Sequence, residues 1–353
     1  DKHNRSGCCG GVPDNPSARS PVLLRCAHMR RLVANPAGDS HPQKFVPGRN
    51  ERRRQRFRGC GQPLVLPSFF EEAIEYEQKQ LERFVSSQSL GHYEAQSYQP
   101  VPEDYSSELD NYLERIQQFK SELDIPVIAS LNGISTNGWI DTGKELQQAG
   151  AVALELNVYY IAGDPDTSGE EIEARYLQLL TDLREHISIP VTMKLSSQFS
   201  SIANMVLKLQ QAGAQGVSLF NRFYQPDIDL ETLKVVPHIE LSNPIESLLR
   251  IRWIALLRSR RELSLAATGG FHNVESIIKV LLAGADTVYL CSVLLNEGPE
   301  HCAKLLQQLE QWLDEKEYDS VKQMQGSVSQ SCAIEPAAYE HSNYVKVLKS
   351  YQY

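Results

Sequence analysis

Apolar runs with the length of β-strands alternate with helical patterns from Pro63 onward. Seven runs are predicted as strands, namely Pro63–Ser68, Pro126–Leu131, Val152–Val158, Pro190–Leu195, Gly216–Phe220, Ser264–Thr268 and a last one from Asp286. Helical spacing predicts the helices Phe69–Phe84, Ser107–Leu123, Gly138–Ala149, Glu170–His186, Ile202–Ala212, Pro244–Arg258 and Val274–Leu282 between them. This alternation predicts an α/β protein with a parallel sheet, and the absence of any reversal in the pattern favours a (β/α)8 TIM barrel over an open sheet.

The first strand of such a barrel is atypical or missing. Residues 1–62 show no sustained period, and only Ser20–Ala27 there resembles a strand. Residues 1–60 hold 13 Lys and Arg against 4 Asp and Glu, whereas the whole chain carries a net charge of −9. We therefore predict an atypical basic segment over 1–62, a barrel over 63–316 and a helical or loop-like extension over 317–353. For the basic segment, disorder and out-of-frame translation both stay open, and a nucleic-acid-binding tail is disfavoured.

Composition narrows the class of protein. With 41% hydrophobic and 22% charged residues, the chain is an ordinary globular sequence. No apolar run reaches the roughly 18 residues of a membrane-spanning helix, and no leader pattern is seen. Seven cysteines, unpaired in spacing except for Cys8-Cys9, predict neither a disulfide framework nor a metal site. We expect a cytoplasmic protein with no membrane or nucleic-acid partner.

The βαβ unit over 265–292 contains the most informative turn. A strand stops at Gly269-Gly270, a helical pattern follows, and a second apolar run reaches Cys291-Ser292. Two glycines at a strand end let the backbone approach an anion closely, and the next helix points its amides at the same place. Because the last βα turns of a barrel often bind phosphate, we predict a phosphate site here. A turn that needs glycine only for its conformation is the alternative.

Polar residues recur near the carboxyl ends of the predicted strands, where buried strands should be apolar. They are Ser130, Asn132, Asn157, Lys194, Ser218, Asn221, Thr268 and Ser292. Taken alone, any one Ser or Asn is better explained as a capped turn or a satisfied core group. The repetition favours a common site, because barrel active sites form at the carboxyl ends of the strands.

Lys194 is the strongest single candidate. It lies inside the apolar run Val191–Leu195, where its ammonium group must face either solvent or the barrel mouth. A buried ammonium needs an anionic or carbonyl partner, and a reduced flavin, anionic around N1 and C2=O, would supply one. A lysine that reaches solvent with its stem buried is the alternative. Glu155, in the neighbouring strand, is interpreted as tied to a structural polar partner rather than as catalytic.

Six segments carry a family resemblance. They are IPVIASLNG at Ile125–Gly133, ALELN at Ala153–Asn157, IPVTMKLS at Ile189–Ser196, FNRFYQPDIDLE at Phe220–Glu231, AATGG at Ala266–Gly270 and LCSVLL at Leu290–Leu295. Together they resemble the dihydroorotate dehydrogenase family of FMN-containing (β/α)8 barrels, most closely its bacterial dihydroorotate dehydrogenase-like branch. The similarity runs from about Pro63 to the C-terminus.

The resemblance implies roles for the residues at the strand ends. The glycine pair and the two residues after the last strand would hold the FMN phosphate, and the buried lysine would lie near N1 and O2 of the flavin. The implied cofactor-binding set is Ser130, Asn157, Lys194, Ser218, Gly269, Gly270, Cys291 and Ser292, the substrate-binding set is Asn132 and Asn221, and the catalytic pair is Tyr160 and Lys194.

The chain departs from the family pattern in three places. A Cys or Ser base, then Pro and a second Asn, follow the family's fourth strand, whereas this chain has Tyr160 at the base position and Ala162 at the second Asn. The family's second-strand Lys corresponds roughly to Pro67, beside Ser68. The Ala-Ser turn of the family's first strand has no clear equivalent in 1–62. Flavin binding is therefore better supported than oxidation of dihydroorotate itself.

The sequence thus predicts an FMN-dependent oxidoreductase with a small-molecule substrate. It would oxidise a dihydropyrimidine, either dihydroorotate to orotate in pyrimidine biosynthesis or a related compound, by hydride transfer to flavin N5. A phosphate-binding barrel isomerase or lyase without flavin stays open, as does a non-catalytic or defective barrel. The resemblance also implies a homodimer.

Overall fold

The computed structural model describes residues 63–70, 106–133, 137–222, 225–259, 262–340 and 348–350. The predicted strand Ser20–Ala27 and most of the predicted helix Phe69–Phe84 lie outside these residues. The chain divides into two compact units, one over Pro63–Gln215 and one that contains Gly216–Tyr353.

The unit of residues 63–215 consists of parallel strands joined by helices. Its strands are β1 (Leu64–Val65), β2 (Phe69–Phe70), β3 (Val127–Asn132), β4 (Ala153–Asn157) and β5 (Val191–Leu195), and its helices are α1 (Glu108–Glu122), α2 (Asn137–Ala149), α3 (Gly169–Arg184) and α4 (Ile202–Gln211). β1 and β2 both pair with β3, β3 pairs with β4, and β4 pairs with β5, all in parallel. The alternation predicted from the sequence is confirmed in this unit.

The short strand β2 corrects one prediction. The sequence predicts a helix from Phe69, whereas Phe69 and Phe70 pair with Leu131 and Asn132 of β3. Phe69 is buried against Tyr112, with ring centroids 5.4 Å apart, while Phe70 is exposed. Opposite burial of consecutive residues is the strand period, so pairing and packing here override the helical pattern.

Serine side chains fix where α1 and α3 begin. Ser107 and Ser168 each accept a hydrogen bond from an amide of the first turn, and Asp110 and Glu171 accept one in return from the cap residue. Each capping box satisfies two helix amides that would otherwise lack a partner within the helix. The predicted starts of both helices are confirmed to within one residue.

The unit that contains residues 216–353 repeats the parallel βα pattern and adds a hairpin. Its strands are β6 (Gly216–Leu219), β7 (Asp227–Asp229), β8 (Lys234–Val236), β9 (Ser264–Thr268) and β10 (Thr287–Tyr289), and its helices are a 3-10 turn (Pro244–Glu246), α5 (Ser247–Leu257), α6 (Val274–Ala283), α7 (Ser292–Glu297), α8 (His301–Glu315), α9 (Val321–Met324) and α10 (Ala337–Glu340). β6 pairs with β9 and β9 with β10 in parallel, whereas β7 and β8 are antiparallel.

The β7–β8 hairpin lies in the long connection after β6, for which the sequence predicts no secondary structure. Ile228 lies opposite Val235, and both are well exposed, at 60% and 70%. β7 and β8 are each three residues long, shorter than the runs of about four to eight residues from which an alternating pattern predicts a strand.

Asp286 connects β9 to the C-terminal segment. Its carboxylate accepts hydrogen bonds from the Leu265 amide at 2.7 Å, from Arg258 Nη1 at 2.9 Å and from Gln325 Nε2 at 2.8 Å. This buried carboxylate therefore fixes the start of the strand that leads to the glycine turn. Across the described part of the chain, no helix is both long and apolar enough to span a membrane.

Candidate active site

Polar side chains meet on one face of β3, β4 and β5. Ser130 lies opposite Glu155, and Asn157 lies opposite Lys194. Because alternate residues of a strand share a face, Glu155 is also the diagonal neighbour of Lys194. All four residues are buried, and Glu155 has no exposed surface. We call these four residues together with Ser68 the strand-end cluster.

Hydrogen bonds and one ion pair connect the strand-end cluster. Lys194 Nζ lies 3.8 Å from Glu155 Oε1, and the Ser130 hydroxyl donates to the same oxygen at 3.2 Å. Ser68 Oγ lies 2.8 Å from Ser130 Oγ and accepts from Asn157 Nδ2 at 3.1 Å. Because Ser130 gives its single hydroxyl proton to Glu155, Ser68 is the donor between the two serines. The hydrogen bonds of the cluster therefore all run one way: Asn157 donates to Ser68, Ser68 donates to Ser130, and Ser130 donates to Glu155.

Tyr112 of α1 positions the serines of this cluster. Its hydroxyl lies 2.9 Å from the Pro67 carbonyl oxygen and accepts the Ser130 amide proton at 3.1 Å. These bonds hold Ser68 next to Ser130. Sequence reasoning missed both Tyr112 and Ser68 as site residues. Tyr112 lies on the buried face of an amphipathic helix, where its sequence position is that of a core residue.

Tyr160, the predicted base, lies beyond the end of β4. Its ring centroid is 5.2 Å from Arg175 Cζ, and it lines a small cavity with Val158 and Tyr176. Burial raises the pKa of Tyr176 to about 12, so that phenol stays protonated and donates to the Val158 carbonyl at 3.5 Å. These contacts of Tyr160 are with α3 and with the end of β4, and they do not join it to the strand-end cluster.

The remaining residues predicted at strand ends are divided between the two units. Asn132 is buried at the end of β3, opposite Phe70. Ser218 is buried in β6, opposite Ala266, and Asn221 is half-buried just after β6. Each therefore lies at or near the carboxyl end of its strand, as the sequence predicts.

The glycine turn after β9 takes a backbone conformation that L side chains rarely adopt. Gly269 has φ of +92° and Gly270 has φ of +87°. A Cβ atom on Gly270 would lie 2.4 Å from the Ser247 backbone nitrogen and 3.0 Å from the Asn243 carbonyl oxygen. Glycine is thus required here both for conformation and for the close approach of the turn to the start of α5.

Polar groups converge on the Gly270 amide. It donates to Ser242 Oγ at 3.2 Å, and the Ser242 hydroxyl in turn donates to Ser292 Oγ at 2.8 Å. His272 Nε2 lies 3.4 Å from Ser242 Oγ. We call Ser242, Gly269, Gly270, Cys291 and Ser292 the glycine cradle. Backbone amides, hydroxyls and imidazoles are groups that bind phosphate oxygens, so the glycine cradle fits a phosphate in its donor chemistry. A phosphate oxygen would replace Ser242 Oγ as the acceptor of the Gly270 amide.

A buried guanidinium lies against the glycine turn. Arg250 of α5 is 5% exposed; its Nε donates to the Thr268 carbonyl at 3.0 Å and its Nη1 to the Glu246 carbonyl at 2.9 Å. The pKa of Arg250 is lowered by burial, and the Glu246 carboxylate, 3.7 Å from Nη2, offsets only part of this lowering. A guanidinium stays charged in proteins, so the turn has a fixed cation beside it. The sequence analysis did not predict Arg250 as a site residue. An arginine within the apolar stretch of α5 does indicate a buried cation, so the signal was present in the sequence.

We expect Arg250→Met to lower the free energy of unfolding by about 1–3 kcal/mol, because the buried Thr268 and Glu246 carbonyls would lose their donors. Urea denaturation measures the change. The matched control is Arg252→Met on the same helix: this arginine is exposed and donates to the Tyr339 carbonyl at 2.7 Å in a solvent-exposed contact, so we expect a loss of less than about 1 kcal/mol. Equal losses in the two variants would show that the buried guanidinium does not hold the turn.

We expect Gly270→Ala to cost about 2–3 kcal/mol of stability, since the new Cβ would meet backbone atoms in a conformation that alanine disfavours. The control is Gly163→Ala, where an added Cβ meets no atom within 4 Å. Thermal and urea unfolding of both variants check this result. A Gly270→Ala protein as stable as the Gly163→Ala protein would contradict the described turn.

The described residues form a parallel α/β protein with a buried lysine at the strand ends of one unit and a turn of two glycines, lined by hydroxyl groups, in the other. The sequence model of the family described as Dihydroorotate dehydrogenase matches residues 105–313, more than half of the chain. The chain belongs to the dihydroorotate dehydrogenase family.

Two curated relatives illustrate the similarity. The catalytic subunit of dihydroorotate dehydrogenase B (NAD(+)) from Bacillus cereus strain G9842 is 27% identical over 233 residues, which cover 64% of this chain and 74% of the relative. The protein of the same name from Listeria welshimeri serovar 6b is 27% identical over 224 residues, which cover 61% and 72%.

Family membership confirms several predictions made from the sequence. These are the family itself, the (β/α)8 fold class and the enzyme class, a dihydroorotate dehydrogenase-like oxidoreductase of pyrimidine biosynthesis that acts on CH–CH groups. Proteins of this family are flavoproteins.

Proposed function

We propose that this chain is an FMN-dependent oxidoreductase that oxidises dihydroorotate, or a closely related dihydropyrimidine, to the unsaturated pyrimidine. The observation that carries the proposal is Lys194, a cation buried at the end of β5 beside Asn157 and 3.8 Å from Glu155. A fixed cation in this position stabilises the negative charge that a flavin ring gains on reduction. The relatives named as dihydroorotate dehydrogenase B catalytic subunits support the substrate.

The residues of the chain divide the work of binding the cofactor. Bound FMN would supply the acceptor for the hydride of the substrate. Lys194 would stabilise the negative charge of the reduced ring, and Ser130, Asn157 and Ser218 would supply hydrogen bonds to the ring edges. The glycine cradle, formed by Ser242, Gly269, Gly270, Cys291 and Ser292, binds the phosphate through amides and hydroxyls, with the charge of Arg250 behind it.

Other residues act on the substrate. Asn132 and Asn221 bind the pyrimidine amide and carbonyl groups, because an asparagine side chain both donates and accepts hydrogen bonds. Tyr160 removes the proton from the carbon next to the one that loses the hydride. The substrate thus loses a hydride and a proton, which leaves a carbon–carbon double bond.

We extend the proposal to the assembly and its location. The chain acts in the cytoplasm as a homodimer. A further, electron-accepting subunit is supported by the words "catalytic subunit" in the names of its relatives. The exposed apolar residues of the β7–β8 hairpin provide surface of the kind that associating proteins bury. Sedimentation equilibrium at two concentrations should give twice the mass of the chain, and a monomer at both would contradict the homodimer.

Anaerobic mixing tests the proposed reaction. We expect dihydroorotate to bleach the visible absorbance of the bound flavin, whereas orotate, the product, leaves it unchanged. Dihydrouracil and dihydrothymine, which lack the carboxylate, show whether the substrate is a neutral dihydropyrimidine instead. If none of these compounds bleaches a flavin that dithionite does bleach, the substrate class is wrong while the flavoprotein class stands.

A further inference from the structure

We propose that Glu155 is a positioning residue that holds Lys194 and sets how much positive charge acts on the flavin. This inference rests on the proposed FMN function and deepens it. Under this proposal Glu155 does not touch the flavin or the substrate, and it acts only through the lysine.

The sheet register places Glu155 where it can act on Lys194. Glu155 lies opposite Thr192, so Lys194, two residues further along β5, is its diagonal neighbour on the same face. The distance of 3.8 Å between Nζ and Oε1 exceeds that of a hydrogen bond. The interaction is therefore mainly a Coulomb attraction, which acts on the charge of the lysine without fixing its hydrogen-bond direction.

The carboxylate itself is held from the opposite side. Glu155 Oε1 also accepts the Ser130 hydroxyl at 3.2 Å, and Ser130 is oriented by Ser68 and by the Tyr112 hydroxyl. The carboxylate is thus held by a chain of hydrogen bonds that reaches it through Ser130 of β3, two strands away from the lysine. Its position does not depend on Lys194 alone.

Stability does not explain a buried pair of this kind. Removing two charges from water costs several kcal/mol per ion, and a buried ion pair is often no more stabilising than apolar residues of the same volume. A strand buried on both faces normally carries apolar residues at such positions. The pair has a clear use if a net charge must be set next to a cofactor whose own charge changes.

Redox potentials of the FMN-loaded protein test the proposal. We expect Glu155→Gln to shift the flavin midpoint potential to more positive values, because the charge of Lys194 is no longer offset. Glu155→Asp keeps the charge and should shift the potential far less. Lys194→Gln should shift it to more negative values, and the Glu155→Gln/Lys194→Gln double variant should lie between the two single variants.

The double variant also covers the case in which Glu155→Gln does not fold. The comparison is then between Lys194→Gln and the double variant, where loss of the carboxylate should again raise the potential. Equal potentials in either comparison, or equal shifts in Glu155→Asp and Glu155→Gln, would overturn the proposal, since a purely structural role predicts no dependence on charge.

A second readout does not require flavin. In FMN-free protein, acetic anhydride labelling followed by mass spectrometry reports how much Lys194 is held as ammonium, with surface-exposed Lys144 as the internal reference. We expect Lys194 labelling to be several-fold faster in Glu155→Gln than in the wild type, with Glu155→Asp close to the wild type. Unchanged labelling refutes the role of Glu155, whereas changed labelling in a protein that never binds FMN refutes only the proposed function.

Discussion

Replacing Lys194 with methionine should lower the free energy of unfolding by about 3–5 kcal/mol. Methionine fills a similar volume but leaves the Glu155 carboxylate, which has no exposed surface, without the cation that lies 3.8 Å away. A buried charge that loses its partner costs several kcal/mol, whereas the lost packing is small. Urea denaturation of the flavin-free protein measures the loss, and the flavin content of the purified variant should fall with it.

A second lysine provides the matched control. Lys208 pairs with Glu173 at 2.8 Å, but its side chain is 39% exposed, so Lys208→Met should change stability by less than about 1 kcal/mol. Adding Glu155→Gln to Lys194→Met should restore much of the lost stability, because the buried charge is then removed as well. Equal losses in Lys194→Met and Lys208→Met would show that the buried pair is not coupled as described.

Tyr160→Phe should slow the reduction of the flavin by substrate by about 10²–10⁴-fold, the usual contribution of a general base. The phenylalanine ring keeps the volume that lies against Arg175 and Val158, so the fold and the flavin content should not change. Stopped-flow absorbance under anaerobic conditions measures the rate, and reduction by dithionite verifies that the flavin itself is intact.

The neighbouring tyrosine serves as the comparison for this variant. Tyr159→Phe removes one hydroxyl at the adjacent position and should leave the rate of flavin reduction within about two-fold of the wild type. If Tyr160→Phe reacts as fast as Tyr159→Phe, another group removes the proton. The contacts of Tyr160 with α3 would then be its role.

Local patterns were sufficient to predict most of the fold. The runs around Val127, Leu154 and Val191 are apolar because each strand is buried between its neighbours, and each run forms a parallel strand. Gly269 and Gly270 follow a strand and precede a helix, and both have the positive φ that glycine permits. Where burial and local propensity agree, the pattern in the sequence is enough.

Elements with little buried surface could not be predicted in this way. The β7–β8 hairpin exposes Ile228 and Val235, and its strands of three residues each are too short for a pattern to predict them. Phe69 has the spacing of a helix but lies in β2 because it packs on Tyr112, which is 43 residues further along the chain. Long-range packing of this kind leaves no local signal.

The candidate site shows the same contrast between residues that a local pattern predicts and residues that only the structure identifies. Lys194 and Asn157 stand out because polar residues interrupt apolar strands. Ser242 could not be found, since its link to the Gly270 amide joins positions 28 residues apart. For Glu155, the sequence indicates only a polar partner, and the structure identifies the Ser130 hydroxyl and the ammonium of Lys194 among its partners.

The visible absorption spectrum of the purified protein, followed by identification of the flavin released on heating, tests the central claim most directly. We predict a yellow protein that releases FMN in about equimolar amount, which would support the roles of the glycine cradle and Lys194 together. A colourless protein that binds no added FMN, while still binding inorganic phosphate, would contradict the account and favour a phosphate-binding barrel without flavin.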